Sequence, residues 1–129
     1  MAAAGTYVIF LRLAPAFTAN LARSGVMDAV TSAARDARDA RAPSVEALVA
    51  LGVDEDFARL FVERLGYLLR LRRHGVLLSA GPFADLTEGL YVCKAADDAE
   101  ARRVIEDDPL YRAGFIERDV VIRRWLAAI

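Results

Sequence analysis

Leu71-Arg72-Arg73-His74-Gly75-Val76-Leu77-Leu78-Ser79-Ala80-Gly81-Pro82 is the stretch on which the fold turns. A basic run ends a helix, where cations complement the helix dipole. Gly75 stands at the C′ position, where a left-handed conformation closes the helix. The apolar run Val76 to Ala80 then makes a strand, and Gly81-Pro82 ends it because proline cannot donate to a ladder. A helix leading straight into a buried strand means that sheet and helix share one core.

Upstream, Phe57, Leu60, Phe61, Leu65, Leu68 and Leu71 recur at helical spacing, with Asp54 as N-cap. Tyr7-Val8-Ile9-Phe10-Leu11 is β-branched and aromatic and opens the chain as a strand that stops before Pro15. Phe17 to Ala42 is helix-prone but rich in Ala and Arg, with Arg35, Asp36, Arg38, Asp39 and Arg41 making it polar. Such a stretch is expected to pack weakly or to lie on the surface. Ser44 caps a short helix ending near Leu51, and Gly52 stops it.

Downstream, Asp85 to Gly89 forms a hairpin loop and Leu90 to Lys94 a third strand. Asp97 with Glu100 starts a helix through Ala101, Val104 and Ile105 in capping-box fashion. Asp108 is held out of the helix by Pro109, and Phe115 to Trp125 is expected as the last strand. The order β-α-β-β-α-β defines a ferredoxin-like α+β fold: a four-stranded antiparallel sheet with helices on one face. One domain over residues 1–129 is expected, with a helical insertion at about 17–56. The first three strands are apolar on both faces, and helices cover only one. A second copy is the simplest cover for the other, so an obligate or near-obligate homodimer is expected.

Composition narrows function by exclusion. The chain has 129 residues, 17 basic and 18 acidic, and a formal charge of −1. That balance offers no field for nucleic acid or an anionic membrane. The start of the chain lacks the basic and apolar regions of a signal peptide, and no run is long enough to span a membrane, so a cytoplasmic protein is expected. One cysteine, Cys93, and one histidine, His74, cannot build a structural zinc site. No phosphate loop or dinucleotide fingerprint is present. No cofactor or metal is expected.

Three residues carry candidate chemistry. Arg64 falls seven positions after Phe57, on or beside the apolar stripe of its helix, where a guanidinium must reach the rim or meet an anion. Asp108 is either a turn residue or a carboxylate set into a cleft as base or orienter. His74 reads as a helix-terminal residue before it reads as a general base. Cys93 lies in the apolar run Leu90-Tyr91-Val92-Cys93 and reads as a buried, inert thiol.

The strand before Gly81-Pro82, the helix ending Asp107-Asp108-Pro109, the run Tyr111-Arg112-Ala113-Gly114-Phe115 and the last strand through Trp125 together resemble the YCII-related family of the dimeric α+β barrel superfamily. The opening strand and the helix from Phe57 to Arg72 fit it as well. The resemblance implies a dimer. For some members it also implies lyase or isomerase chemistry on small cyclic or chlorinated aromatic compounds. The proposed family site pairs a His early in the long helix with the Asp of the Asp-Pro motif. That Asp carries over to Asp108; at or near the place of the His stands Arg64. The expectation is a YCII-like protein binding a small molecule, with anions among the candidates, in a cleft near Arg64 and Asp108, with Arg64, Ser79 and Gly81 as the ligand-binding residues. A lyase or isomerase using Asp108 as acid–base is the first alternative, and an interaction module the second.

Overall fold

The computed structural model describes residues 4–34 and 42–127. In chain order the elements are β1 (Gly5–Arg12), α1 (Pro15–Leu21), α2 (Val26–Ala34), α3 (Val45–Ala50), α4 (Glu55–Arg73), β2 (Leu77–Pro82), β3 (Glu88–Ala95), α5 (Asp98–Glu106), α6 (Pro109–Arg112) and β4 (Val121–Trp125). The strands form one sheet in the order β2-β3-β1-β4, every pair antiparallel. This is the ferredoxin-like α+β arrangement expected, with helices packed on one face. Among the described residues no helix is long and apolar enough to cross a membrane.

Local chemistry accounts for the helices. Asp54 Oδ2 accepts from the Phe57 amide at 3.3 Å, Glu55 and Asp56 occupy the first turn, and Arg70, Arg72 and Arg73 the last. Charge therefore opposes the dipole of α4 at both ends. Gly75 takes the left-handed φ of +74° needed for the exit. Asp97 caps α5 by accepting from the Glu100 amide, and α5 buries Ala101, Val104 and Ile105. His74 is the exposed C-cap of α4, its Nδ1 donating to the Arg70 carbonyl at 2.8 Å. Cys93 is a buried free thiol whose pKa is pushed up by burial and then by Glu100.

Strand alternation divides the sheet into two faces. Tyr7, Ile9 and Leu11 of β1 and Tyr91, Cys93 and Ala95 of β3 point to the helices and are buried. Val8, Phe10, Leu90 and Val92 take the opposite face together with Trp125, and no helix among the described residues covers them. Phe10 is 41% and Trp125 51% exposed.

Four expectations are corrected. The last strand begins at Val121, not Phe115: Ile116 makes only an isolated bridge with Leu13, and Phe115 packs edge-on to Phe57 at 5.2 Å. A core anchor and a single bridge mimic strand alternation. The second strand continues through Pro82, opposite Gly89. It is an edge strand, so the missing proline N–H leaves no ladder partner unpaired. Pro109 begins the short helix α6, with Asp108 as its N-cap. Finally, the stretch from Phe17 does not pack weakly throughout. Gly25, at φ +84°, splits it into α1 and α2, and Phe17, Leu21 and Val26 are buried. A few large anchors suffice where Ala fills the positions between them. The charged run Arg35, Asp36, Arg38, Asp39 and Arg41 lies outside the described residues.

Candidate functional site

Three side chains from three elements meet under the helices. Arg64 comes from the middle of α4, in line with Phe57, Phe61 and Leu68. Tyr91 comes from the helix-facing side of β3. Asp108 stands between α5 and α6, its backbone extended at φ −68°, ψ 124° as the following proline requires. Their exposures are 8%, 1% and 0%.

The bonding is closed on the protein side. Asp108 Oδ1 accepts from the Leu110 amide at 2.8 Å, and Oδ2 accepts from Arg64 Nε at 3.0 Å. Oδ2 also accepts a short hydrogen bond from the Tyr91 hydroxyl. The Tyr91 oxygen accepts in turn from Arg64 Nη2 at 2.6 Å. The guanidinium lies over the rings of Phe17 at 5.2 Å and Tyr91 at 5.5 Å, where the ring faces attract a cation.

The protonation of Tyr91 and Arg64 follows from these partners. Burial raises the Tyr91 pKa and the Asp108 charge raises it further, against the opposing effect of Arg64, so the phenol is neutral and donates. Burial works against the Arg64 charge, but Tyr91 and Asp108 outweigh it, and the Arg64 pKa lies above its ordinary value. The group is one cation, one carboxylate and one neutral phenol, with no net charge. Buried charges are tolerated when paired in this way, and each alone would be costly.

One edge of the guanidinium stays open. Nε and one Nη2 proton serve Tyr91 and Asp108, and Nη1 has no hydrogen-bond partner among the described residues. No buried side-chain polar atom among them lacks a partner. Nη1 is therefore not fully enclosed by the described residues. Arg64 lines a pocket of about 340 Å³ that α1, α2 and α4 wall with residues such as Leu21, Val30 and Leu65. The edges of β2 and β3 close its floor at Gly81 and Gly89. A Cβ on Gly89 would come within 2.8 Å of the Gly81 carbonyl oxygen, so only glycine permits this close approach.

The structure thus brings Arg64 and Asp108 together and sets Gly81 in the pocket floor. It does not bring Ser79 there: Ser79 pairs with Val92 and shares its face, away from the helices. Asp107 is exposed and pairs with Arg112 at 2.8 Å. Tyr91 was missed as a member of the group. Its one signal was parity, since Tyr91 shares the face of Cys93 and a buried phenol needs a partner. Neither Tyr91 nor Asp108 lines the pocket. Among its described lining residues only Arg64 and Thr31 have polar side chains.

A four-stranded antiparallel sheet carrying helices on one face, with a buried polar group beneath an apolar pocket, defines a ferredoxin-like α+β domain with a candidate small-molecule site. The model of the YCII-related domain matches residues 46–125, and the chain belongs to that family. The fold is similar to that of 5-chloro-2-hydroxyhydroquinone dehydrochlorinase from Burkholderia phenoliruptrix AC1100, solved in complex with 2,5-dihydroxybenzoquinone. That match has a TM-score of 0.51 and 15% identity, and covers 93% of this chain and 92% of the other. No curated protein matches the sequence.

Proposed function

We propose that the protein binds a small molecule in the Arg64 pocket, with Asp108 and Tyr91 as positioning residues behind the guanidinium. The observation that carries this is the unpartnered Nη1 edge of a nine-tenths buried arginine lining an otherwise apolar pocket. A few placed polar groups in a mostly apolar concavity are the usual make-up of a ligand site. The dehydrochlorinase, whose structure holds a quinone, is consistent with a small-molecule role for this fold.

The lyase or isomerase reading gives Asp108 the proton-transfer step. The geometry supports positioning instead. Both Asp108 oxygens are hydrogen-bonded, the residue is fully buried, and it does not line the pocket. A general base needs hydrogen-bond reach to its substrate, directly or through one water. No Asp, Glu, His or Cys is among the described lining residues, and an arginine stays charged and shuttles protons poorly.

A fragment screen by NMR on the full chain tests the binding reading. Hits should shift the amides of Leu65 and Gly81, and Arg64→Lys should weaken them about tenfold by removing the planar fork. Hits that map elsewhere, or survive Arg64→Lys unchanged, would sink it.

The same reading treats residues 1–129 as one domain, in which the segment from about 17 to 56 supplies part of the pocket wall. A second copy is proposed to cover the open sheet face, where Val8, Phe10, Leu90, Val92 and Trp125 form an apolar surface beside Arg123 and Arg124. Light scattering at micromolar concentration should give twice the 14.1 kDa chain mass. A persistent monomer would contradict this.

A further inference from the structure

The charge state of the buried group bears on which ligand it takes. We infer that the pocket selects an uncharged molecule with an apolar body and a carbonyl-type oxygen acceptor, in preference to a carboxylate of the same shape. This deepens the binding reading and rests on it.

Geometry alone does not separate the two. The open edge of Arg64 presents parallel N–H donors from Nη1 and Nη2, a fork that fits a carboxylate. It also fits one carbonyl oxygen, which accepts through two lone pairs. Charge separates them. Asp108 Oδ2 sits 3.0 Å behind Nε and already neutralises the guanidinium. An anion on the open edge would feel Arg64 at contact and Asp108 a few ångströms further back, a repulsion of about half the attraction. It would also give up hydration for a pocket whose described lining residues offer it no second cation. The site would pass from neutral to net negative. A neutral carbonyl loses little hydration and still receives hydrogen bonds from a charged donor, which are stronger than neutral ones. Thr31, the other polar residue of the lining, already spends its hydroxyl proton on the Met27 carbonyl at 2.8 Å.

Size limits the body. An apolar cavity of about 150 Å³ takes one benzene. The pocket's 340 Å³ therefore suits a ligand of about a dozen non-hydrogen atoms.

Three probes of matched size separate the possibilities: 4-phenylbutan-2-one, 3-phenylpropanoate and 3-phenylpropylamine, titrated into the full chain at pH 7.5 and followed by amide shifts. The ketone should bind at least tenfold more tightly than either ion, and Thr31→Trp, a change on the exposed rim, should abolish its binding. Carboxylate binding equal to or tighter than the ketone's overturns the inference while leaving the pocket a ligand site. Amine binding as tight as the ketone's overturns it too, because Arg64 would then not be the anchor. Ketone binding that survives Thr31→Trp places the contact elsewhere and overturns it. Silence from all three probes, with the fragment screen also silent at this pocket, removes the inference and the binding reading together; silence beside fragment hits at the pocket removes the inference alone.

Discussion

Arg64→Met is expected to lower stability by about 3–5 kcal/mol in urea denaturation, because it strands a buried carboxylate. Asp108 would keep the Leu110 amide and the Tyr91 hydroxyl, but nothing would balance its charge. Adding Asp108→Asn should recover a substantial part of that loss, since an amide in place of a carboxylate has no charge to strand. The two changes should therefore be strongly non-additive, as expected for side chains in direct contact. A cost below about 1 kcal/mol for Arg64→Met would put the pair in the range of exposed ion pairs and show that water reaches Asp108. Additive single and double variants would show that the two charges are not coupled.

Phe17→Ala is the second large effect. Phe17 is 1% exposed, edge-on to Phe57 at 5.4 Å and to Phe61 at 6.0 Å, and lies under the Arg64 guanidinium. Truncating a buried phenylalanine costs about 3–5 kcal/mol through lost transfer energy and the cavity left behind. The change also enlarges the pocket, which Phe17 lines. A loss under about 1 kcal/mol would mean that α1 sits loosely on the sheet, as its Ala-rich context suggested. The same packing argues that removing residues 20–43 would not leave the sheet intact, because Leu21 and Val26 go with them.

Much of the fold was legible because its signals are local. Asp54, Asp97 and Gly75 each mark a helix end through a bond or a dihedral made within a few residues. Alternation in Tyr7 to Leu11 marks a strand for the same reason. The misplaced start of β4 shows the limit. Phe115 and Ile116 look like strand residues, yet one serves the aromatic cluster and the other makes a single bridge. Only the long-range partner distinguishes these uses. Gly25 carries no such local mark, because a glycine within an Ala-rich run reads as tolerated helix, yet its positive φ turns the chain.

The site was legible in part for a parallel reason. Arg64 on an apolar stripe and Asp108 before a proline are anomalies visible in one dimension, and each had to find a partner. Tyr91 looked like an ordinary strand aromatic; its role depends on β3 passing beneath α4 opposite the end of α5. Ser79 pairs with Val92 on the open sheet face, so its side chain points away from the pocket, whereas Gly81, two residues on, borders the pocket with backbone alone. The pocket wall was the least legible feature. Leu21, Met27 and Val30 are scattered through a stretch whose average composition is that of a surface helix.

That wall lies in a separate stretch of chain from the anchor it faces. Arg64, Tyr91 and Asp108 all fall within residues 46–125, the part that carries the family pattern. Phe17, Leu21, Met27, Val30 and Thr31 all precede it. Substitutions at Met27, Val30 and Thr31 can reshape the cavity without disturbing the bonds that hold the guanidinium. A library randomised at those three positions should therefore diversify ligand shape on a constant polar anchor. For an engineer, the chain is already divided into a part to hold still and a part to vary.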